Sequence, residues 1–302
     1  MVGVPVRQLA SAIALAVAGI VAAPNLVACG GGGRSVSPSA DMSAPPARGA
    51  VLPTTPQALS GRLSAADHAL RRAIHAWRAD GQPARGAPPH GVALQALYVQ
   101  RALRLLSRRP RLAAATIRRL PARLAHETSE LTAALRDLRR LSGGWSAHPV
   151  RTGPPEPIGK LLAYYRAAQR RFGVGWHVLA AVNLVESAFG RVRNESVAGA
   201  QGPMQFMPST WRTYGLGGDI RDPRDAILGA ANLLRHAGAP ESYARALYAY
   251  NPSRLYVDAV QRYARLIGSD RDAVYFLYSS RVLVRTRHGG RPVADRSEAS
   301  QR

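Results

Sequence analysis

The sequence has 302 residues, 46% of them hydrophobic, and a formal net charge of +23. Lys160 is the only lysine among the 41 basic residues, so arginine carries the charge; a high-GC genome and an anionic partner explain this composition equally well. The single cysteine excludes a disulfide framework, and the length excludes more than one or two modest cores.

The N-terminal residues predict export. Arg7 precedes an apolar run over residues 9–21, which is followed by Leu26-Val27-Ala28-Cys29-Gly30. This pattern resembles the bacterial lipoprotein signal, and the resemblance implies cleavage before Cys29 and acylation of that cysteine. Residues 1–28 are therefore predicted to be a lipoprotein-type signal peptide, which leaves the chain lipid-anchored to the outer face of the cytoplasmic membrane. An ordinary secretory leader, which would release the chain into the cell envelope, and an uncleaved anchor are the alternatives.

A basic helical domain is predicted over residues 58–142, behind a flexible tether over residues 29–57 whose Gly, Ser, Pro and Ala cannot bury a core. Its first helix is predicted to begin at a capping box formed by Ser64 and Asp67. Apolar residues then recur at helical spacing, and the domain holds sixteen arginines against five acidic residues. This arginine-rich hairpin or small bundle is interpreted either as a packing module or as a surface that docks on anionic wall polymers or lipid headgroups.

A second, denser helical unit is predicted over residues 157–278, after a Gly- and Pro-rich linker over residues 143–156. One of its helices is predicted to begin at Asp222-Pro223, because Asp caps a helix and Pro suits its first position. No alternating run is long enough for a sheet, so the predicted fold class is all-α. The polar residues 279–302 are predicted to be a disordered tail.

Glu186 is the candidate catalytic residue. It lies in an apolar helix predicted over residues 176–188, close to the C-terminal end of that helix. Burial and the negative end of the helix dipole both disfavour a carboxylate, so the pKa of Glu186 is expected to be raised. A carboxylic acid that stays protonated near neutral pH is the group needed to protonate a glycosidic oxygen.

The motifs around Glu186 resemble the soluble lytic transglycosylase family, which shares a lysozyme-like helical fold with the goose-type lysozymes. The resemblance covers residues 158–267 and follows the family's order of elements. These elements are Glu186-Ser187 at a helix end, a loop with Ser196, Gly199-Ala200-Gln201-Gly202 and Met204-Gln205, then Met207-Pro208, Asp222-Pro223-Arg224-Asp225-Ala226-Ile227, Ala249-Tyr250-Asn251 and Tyr256-Val257. The resemblance implies a lytic transglycosylase catalytic domain with a lysozyme-like fold over residues 157–278.

The resemblance also implies a reaction and roles for individual residues. Glu186 would be the single acid/base, and Tyr250 would hydrogen-bond near it while Asn251 holds that turn. In the implied reaction, Glu186 protonates the oxygen of the β-1,4 bond between MurNAc and GlcNAc in peptidoglycan. It then deprotonates the C6 hydroxyl, which closes on C1 and leaves a 1,6-anhydromuramyl end. The sugar subsites would be lined by Ser196, Gln205 and Met207.

Other residues of this region are interpreted as having structural roles or as indicating the subfamily, and not as taking part in the reaction. Gly199 and Gly202 are interpreted as letting the loop backbone approach the saccharide closely. Many soluble members of the family have Leu where this chain has Pro203, and the run from Pro203 onward resembles a second, membrane-bound transglycosylase family, so the subfamily stays open. Four aromatic residues lie at helical spacings that core packing explains: Trp211, Tyr214, Tyr248 and Tyr256.

A second carboxylate would change the reaction, because hydrolysing glycosidases usually pair two of them. Glu195 and Asp219 are the candidates for activating water, in which case the chain would be an N-acetylmuramidase. Asp222 and Asp225 are better explained as helix caps. A non-catalytic, wall-binding lipoprotein is the alternative from outside the enzymes.

No metal or other cofactor is predicted, since the eight histidines are scattered and show no ligand grouping. Export and the lack of a basic recognition helix disfavour nucleic acid as a partner. The predicted partner is the peptidoglycan glycan strand, and the chain is predicted to be a monomer.

Overall fold

The computed structural model describes residues 45–81, 83, 86–142, 150–284 and 291–292. The predicted signal peptide, Cys29 and most of the predicted tether lie outside these residues. So do half of the predicted linker (residues 143–149) and most of the predicted tail (residues 285–290 and 293–302).

Eleven α-helices account for most of the described residues, so the all-α prediction is confirmed. A two-stranded antiparallel pair, β1 (Leu283–Val284) with β2 (Arg291–Pro292), follows the last helix. The helices are α1 Pro56–Ala79, α2 His90–Arg108, α3 Pro110–Ile117, α4 Ala122–Leu141, α5 Ile158–Phe172, α6 Trp176–Ser187, α7 Pro208–Tyr214, α8 Pro223–His236, α9 Tyr243–Tyr250, α10 Arg254–Ser269 and α11 Ala273–Ser279.

Helix α1 begins earlier than predicted. Thr55 caps it, since its side chain accepts a hydrogen bond from the Ala58 N–H at 3.4 Å, and Pro56 takes the first position. The predicted capping box at Ser64 and Asp67 is therefore wrong, because both residues lie inside the helix. The Asp67 carboxylate instead accepts a hydrogen bond from Arg123 on α4 at 2.6 Å.

One hydrophobic core joins helices from both predicted helical units. Helix α10 packs against α4 on one side and α6 on the other, and Trp77 of α1 meets Tyr275 of α11 edge to face at 5.6 Å. Charged contacts reinforce this packing, because Glu130 of α4 binds Arg262 at 2.6 Å and Arg265 at 2.8 Å. The helices of residues 58–142 thus support the helix α10 that contributes to the candidate site; their docking on anionic wall polymers or lipid headgroups stays a prediction.

Ordered packing extends beyond two predicted boundaries. Residues 150–157, at the end of the predicted linker, pair with the loop after α6: the Gly153 N–H donates to the Arg191 carbonyl at 2.9 Å. At the other end, Val282 is buried and the Arg281 N–H donates to the Gln100 side chain at 3.2 Å, although the predicted disordered tail begins at residue 279. Within the described residues, no helix combines the length and apolarity needed to cross a bilayer.

Candidate active site

Helix α6 carries Glu186 through the centre of the molecule. Every residue from Val178 to Ser187 is buried, which identifies a helix surrounded by core on all sides. The helix ends in three successive residues with positive φ, at Ala188 (52°), Phe189 (63°) and Gly190 (81°). Two of these residues are not glycine. A positive φ in a residue other than glycine costs conformational free energy, and residues in such conformations cluster at functional sites. The chain therefore reverses sharply at Ala188, directly after Ser187 and two residues after Glu186.

The Glu186 carboxyl is almost inaccessible, with 4% of the residue exposed. Its Oε1 accepts a hydrogen bond from the Tyr256 hydroxyl at 2.7 Å. Burial raises the pKa of Glu186 to about 8, against the opposing effect of that hydrogen bond. The rise that burial was expected to cause is confirmed, and it leaves this side chain protonated at neutral pH.

Tyr256, at the start of α10, is the site residue that sequence reasoning missed. It was interpreted as a core aromatic residue, although it belongs to the Tyr256-Val257 element of the family resemblance. Burial and the adjacent Glu186 hold the pKa of its hydroxyl well above the ordinary value, so the hydroxyl is a permanent donor. Tyr256 therefore contacts the acid directly, from 70 residues away in the sequence.

Tyr250 lies beside the acid but bonds elsewhere. Its ring lies parallel to that of Tyr256, with centroids 6.5 Å apart, and its hydroxyl donates to the Met204 carbonyl at 2.6 Å. The two tyrosines therefore have different partners. Tyr256 donates its hydrogen bond to Glu186, and Tyr250 donates to the loop that contains Met204.

The loop over residues 201–206 is fastened to the turn of α6 that carries Glu186. Gln201 and Phe206 pair through both backbone hydrogen bonds, at 2.8 and 2.9 Å. The Pro203 carbonyl accepts from the Ser187 hydroxyl at 2.5 Å and from the Asn183 amide at 2.8 Å. Because these bonds are buried, the loop has one fixed position relative to the acid.

The residues that the family resemblance assigns to sugar binding lie in this loop, on either side of it in the sequence, and at the end of α9. Gln205 is buried with φ at 49°, and Nε2 of its side chain donates to the Gly202 carbonyl at 3.0 Å. The Ser196 hydroxyl accepts from the Ala200 N–H at 2.8 Å, and Met207 is half-buried just before α7. Asn251, at the end of α9, is buried. Two acceptors, Gln205 Oε1 and Asn251 Oδ1, have no hydrogen-bond donor among the described residues.

The sequence suggests that glycine at position 202 lets the saccharide approach closely, but the structure gives a different explanation. A Cβ at this position, where φ is 74°, would lie 1.8 Å from the Ile220 carbonyl oxygen. A Cβ on Gly199, with φ of 87°, would meet no atom within 4 Å. Contact with the protein's own backbone therefore requires glycine at 202, and only the positive φ favours it at 199.

The other candidate carboxylates are engaged away from Glu186. Glu195 is paired with Arg221 at 2.9 Å, and Oδ1 of Asp219 accepts from the Arg221 N–H at 2.8 Å. Asp222 caps α8 as predicted, because its Oδ1 accepts from the N–H groups of Arg224 and Asp225, both at 2.9 Å. Burial and Tyr256 alone account for the shifted pKa of Glu186, with no contribution from a second acid in the described part of the chain. Nor do three or more His, Cys, Asp or Glu side chains converge there as a metal site.

Comparison with known proteins places this site inside a recognised domain. Residues 163–266 match the family model of the transglycosylase SLT domain. A membrane-bound lytic murein transglycosylase F from Thiobacillus denitrificans is 30% identical over 124 residues, which cover 38% of this chain and 26% of that relative. No solved structure matches the chain significantly. The matched range contains Glu186, both tyrosines and the loop over residues 201–206.

Proposed function

We propose that this chain, whose residues 163–266 are a transglycosylase SLT domain, is a lytic transglycosylase that cleaves the glycan strands of peptidoglycan. One observation carries the proposal: Glu186 is buried, keeps its proton at neutral pH, and has no carboxylate partner in the described part of the chain. The name of the Thiobacillus relative, a murein transglycosylase, agrees with this activity.

A single acid/base can complete the reaction if the substrate supplies its own nucleophile. Glu186 donates its proton to the oxygen that bridges MurNAc and GlcNAc while the bond from C1 of MurNAc to that oxygen breaks. The resulting carboxylate then takes the proton of the C6 hydroxyl of the same muramyl residue, and O6 bonds to C1. Glu186 is protonated again, no water is consumed, and the product ends in 1,6-anhydromuramic acid.

The proposed sugar contacts are supported by the unpaired acceptors near the loop. Gln205 Oε1 and Asn251 Oδ1 are buried without a donor, and a buried acceptor costs free energy unless a ligand satisfies it. Hydroxyl and acetamido N–H groups of the glycan are donors of the required kind. We therefore assign Gln205 and Asn251, with Ser196 and Met207 beside them, to saccharide binding, and Tyr250 to holding the loop in place.

Product analysis separates this reaction from the alternatives. Mass spectrometry of muropeptides released from purified peptidoglycan is expected to show anhydromuramyl ends. Reducing ends alone would indicate an N-acetylmuramidase, with Glu195 or Asp219 released from its present contacts to activate water. No released products at all would favour the non-catalytic, wall-binding lipoprotein.

Changing Tyr256 to phenylalanine tests whether this residue positions the acid. The variant loses the hydrogen bond that stabilises the charged form of Glu186, so we expect the pKa of Glu186 to rise above about 8. The alkaline limb of the pH–activity profile should move to higher pH, and kcat should fall roughly fivefold to tenfold because the carboxyl is less well oriented.

The control for that variant is Tyr248→Phe, which removes a hydroxyl from a residue of α9 that is 49% exposed. Its pH profile and kcat should match those of the unaltered protein. If Tyr256→Phe lowered activity without moving the alkaline limb, Tyr256 would have a structural role only.

We further propose that the chain is exported and anchored through an acylated Cys29. The relative is described as membrane-bound, and the lipoprotein-type motif ends at this cysteine. Radioactive palmitate supplied to the cells should label the unaltered protein and Ser35→Ala in the same segment, whereas Cys29→Ser should carry no label. An unaltered protein that takes up no label would exclude lipid anchoring in favour of an ordinary secretory leader or an uncleaved anchor.

A further inference from the structure

A concave pocket of about 330 Å³ lies beside the loop over residues 201–206. This volume is within the range of small-molecule sites. Three separate segments contribute arginines to its wall, and the catalytic acid is not among its lining residues. The lining includes Arg151, Arg193, Asn194, Glu195, Pro203 and Arg221.

The pocket carries more positive than negative charge. Among the described residues that line it, Glu195 alone carries a carboxylate, and Glu195 is already paired with Arg221 at 2.9 Å. Arg193 donates to the Pro154 carbonyl at 2.7 Å, which is a neutral acceptor. Among the described residues, no carboxylate lies within ion-pair distance of Arg151 or Arg193. Two guanidinium charges in this concave surface are therefore unbalanced.

Backbone pairing places these two arginine residues directly opposite each other. Thr152 and Val192 form an antiparallel bridge, so Arg151 and Arg193 are the next residues across the two segments, and the Arg193 N–H donates to the Arg151 carbonyl at 3.0 Å. Like charges directly opposite on an antiparallel pair destabilise it. A bound anion would offset that repulsion, because guanidinium groups chelate carboxylates through paired hydrogen bonds.

The pocket shares a wall with the proposed saccharide site. The Pro203 carbonyl is bonded to Ser187, the neighbour of Glu186, and the Asn194 carbonyl accepts from the Gln205 side chain at 3.3 Å. The pocket is therefore adjacent to a sugar bound at Gln205, in the direction in which a substituent of that sugar could extend. In peptidoglycan, the muramyl residue bears such a group, a peptide with free carboxylates.

We propose that the pocket of Arg151, Arg193 and Arg221 binds the carboxylates of the stem peptide on the muramyl residue. This inference rests on the proposed function, since it assumes that peptidoglycan occupies the neighbouring saccharide site. It makes the chain selective for glycan strands that still carry their peptides.

The test compares two substrates with one double variant, Arg151→Gln/Arg193→Gln. The substrates are peptidoglycan strands with intact stem peptides and strands from which an amidase has removed the peptides, leaving only the lactyl carboxylate. We expect the ratio of kcat/KM for stem-bearing over stem-free strands to fall about tenfold, chiefly through a higher KM on the stem-bearing strands. Added salt should reduce the preference of the unaltered protein in the same direction.

The matched control is Arg166→Gln, which removes the same charge from the exposed surface of α5 and should leave the ratio unchanged. An unchanged ratio in the double variant would overturn the inference, and so would equal losses on both substrates, which indicate a role for the arginines in folding or in binding the glycan itself. Failure of the unaltered protein to cleave either substrate would instead contradict the proposed function.

Discussion

Glu186→Gln is expected to lower kcat on peptidoglycan by about a thousandfold or more, because glutamine can neither donate nor accept the transferred proton. The variant should still fold, since glutamine has nearly the same shape and its carbonyl oxygen can accept the Tyr256 hydrogen bond now made by Oε1. The measurement is the release of soluble muropeptides from purified cell walls. Retained lysis by a folded Glu186→Gln protein would refute the assignment of the acid.

The same substitution is expected to stabilise the protein above neutral pH. The pKa of Glu186 is about 8 in the folded chain and near 4.5 when unfolded, so the folded state holds a proton that the unfolded state has released between these values. The stability of the unaltered protein is therefore fully present below about pH 4.5 and falls as the pH rises to 8, by about 3–5 kcal/mol. Glutamine has no proton to lose and avoids this penalty.

Thermal unfolding at several pH values tests this consequence independently of activity. Glu186→Gln should melt at a higher temperature than the unaltered protein at pH 8, and the difference should shrink toward zero near pH 4. A Glu186→Gln protein that melts lower at pH 8 would contradict the burial of a protonated carboxyl in the native site.

Gly202→Ala is expected to have the second-largest effect, on both stability and activity. The new Cβ would lie 1.8 Å from the Ile220 carbonyl oxygen at a residue with φ of 74°, so the backbone of the loop must shift. We expect a loss of roughly 2–4 kcal/mol in the free energy of unfolding. Pro203 and Gln205 would move with the loop, and a displacement of about 1 Å near a reacting centre can lower the rate about a hundredfold.

Gly199→Ala is the matched control for this variant. Gly199 also has positive φ, at 87°, but an added Cβ there meets no atom within 4 Å. It should lose only about 1 kcal/mol, from the conformational preference of alanine. Denaturant unfolding and muropeptide release on both proteins provide the comparison, and equal losses at 199 and 202 would contradict the close approach of Gly202 to Ile220.

Local signals in the sequence were sufficient for several elements. Asp222 caps α8 and Pro223 begins it, as the residue types alone predicted, because capping depends on atoms only two or three residues apart. The start of α1 was missed for a reason that is also local. Thr55-Pro56 is a valid helix start, but the spacing of Ser64 and Asp67 predicted a capping box and a helix that began at Ser64.

The sequence by itself determined the helical class, Glu186 as the candidate acid and the direction of its pKa shift. These follow from periodicity, from an ordered motif and from the placement of one carboxyl in an apolar helix. Only the tertiary structure decided what surrounds that acid. Tyr256 reaches Glu186 from another helix, Gly202 is constrained by Ile220, and Arg151 stands opposite Arg193 across a backbone pairing. Such contacts join residues that are 18 to 70 positions apart in the sequence, so local periodicity cannot predict them. They form only when the helices pack.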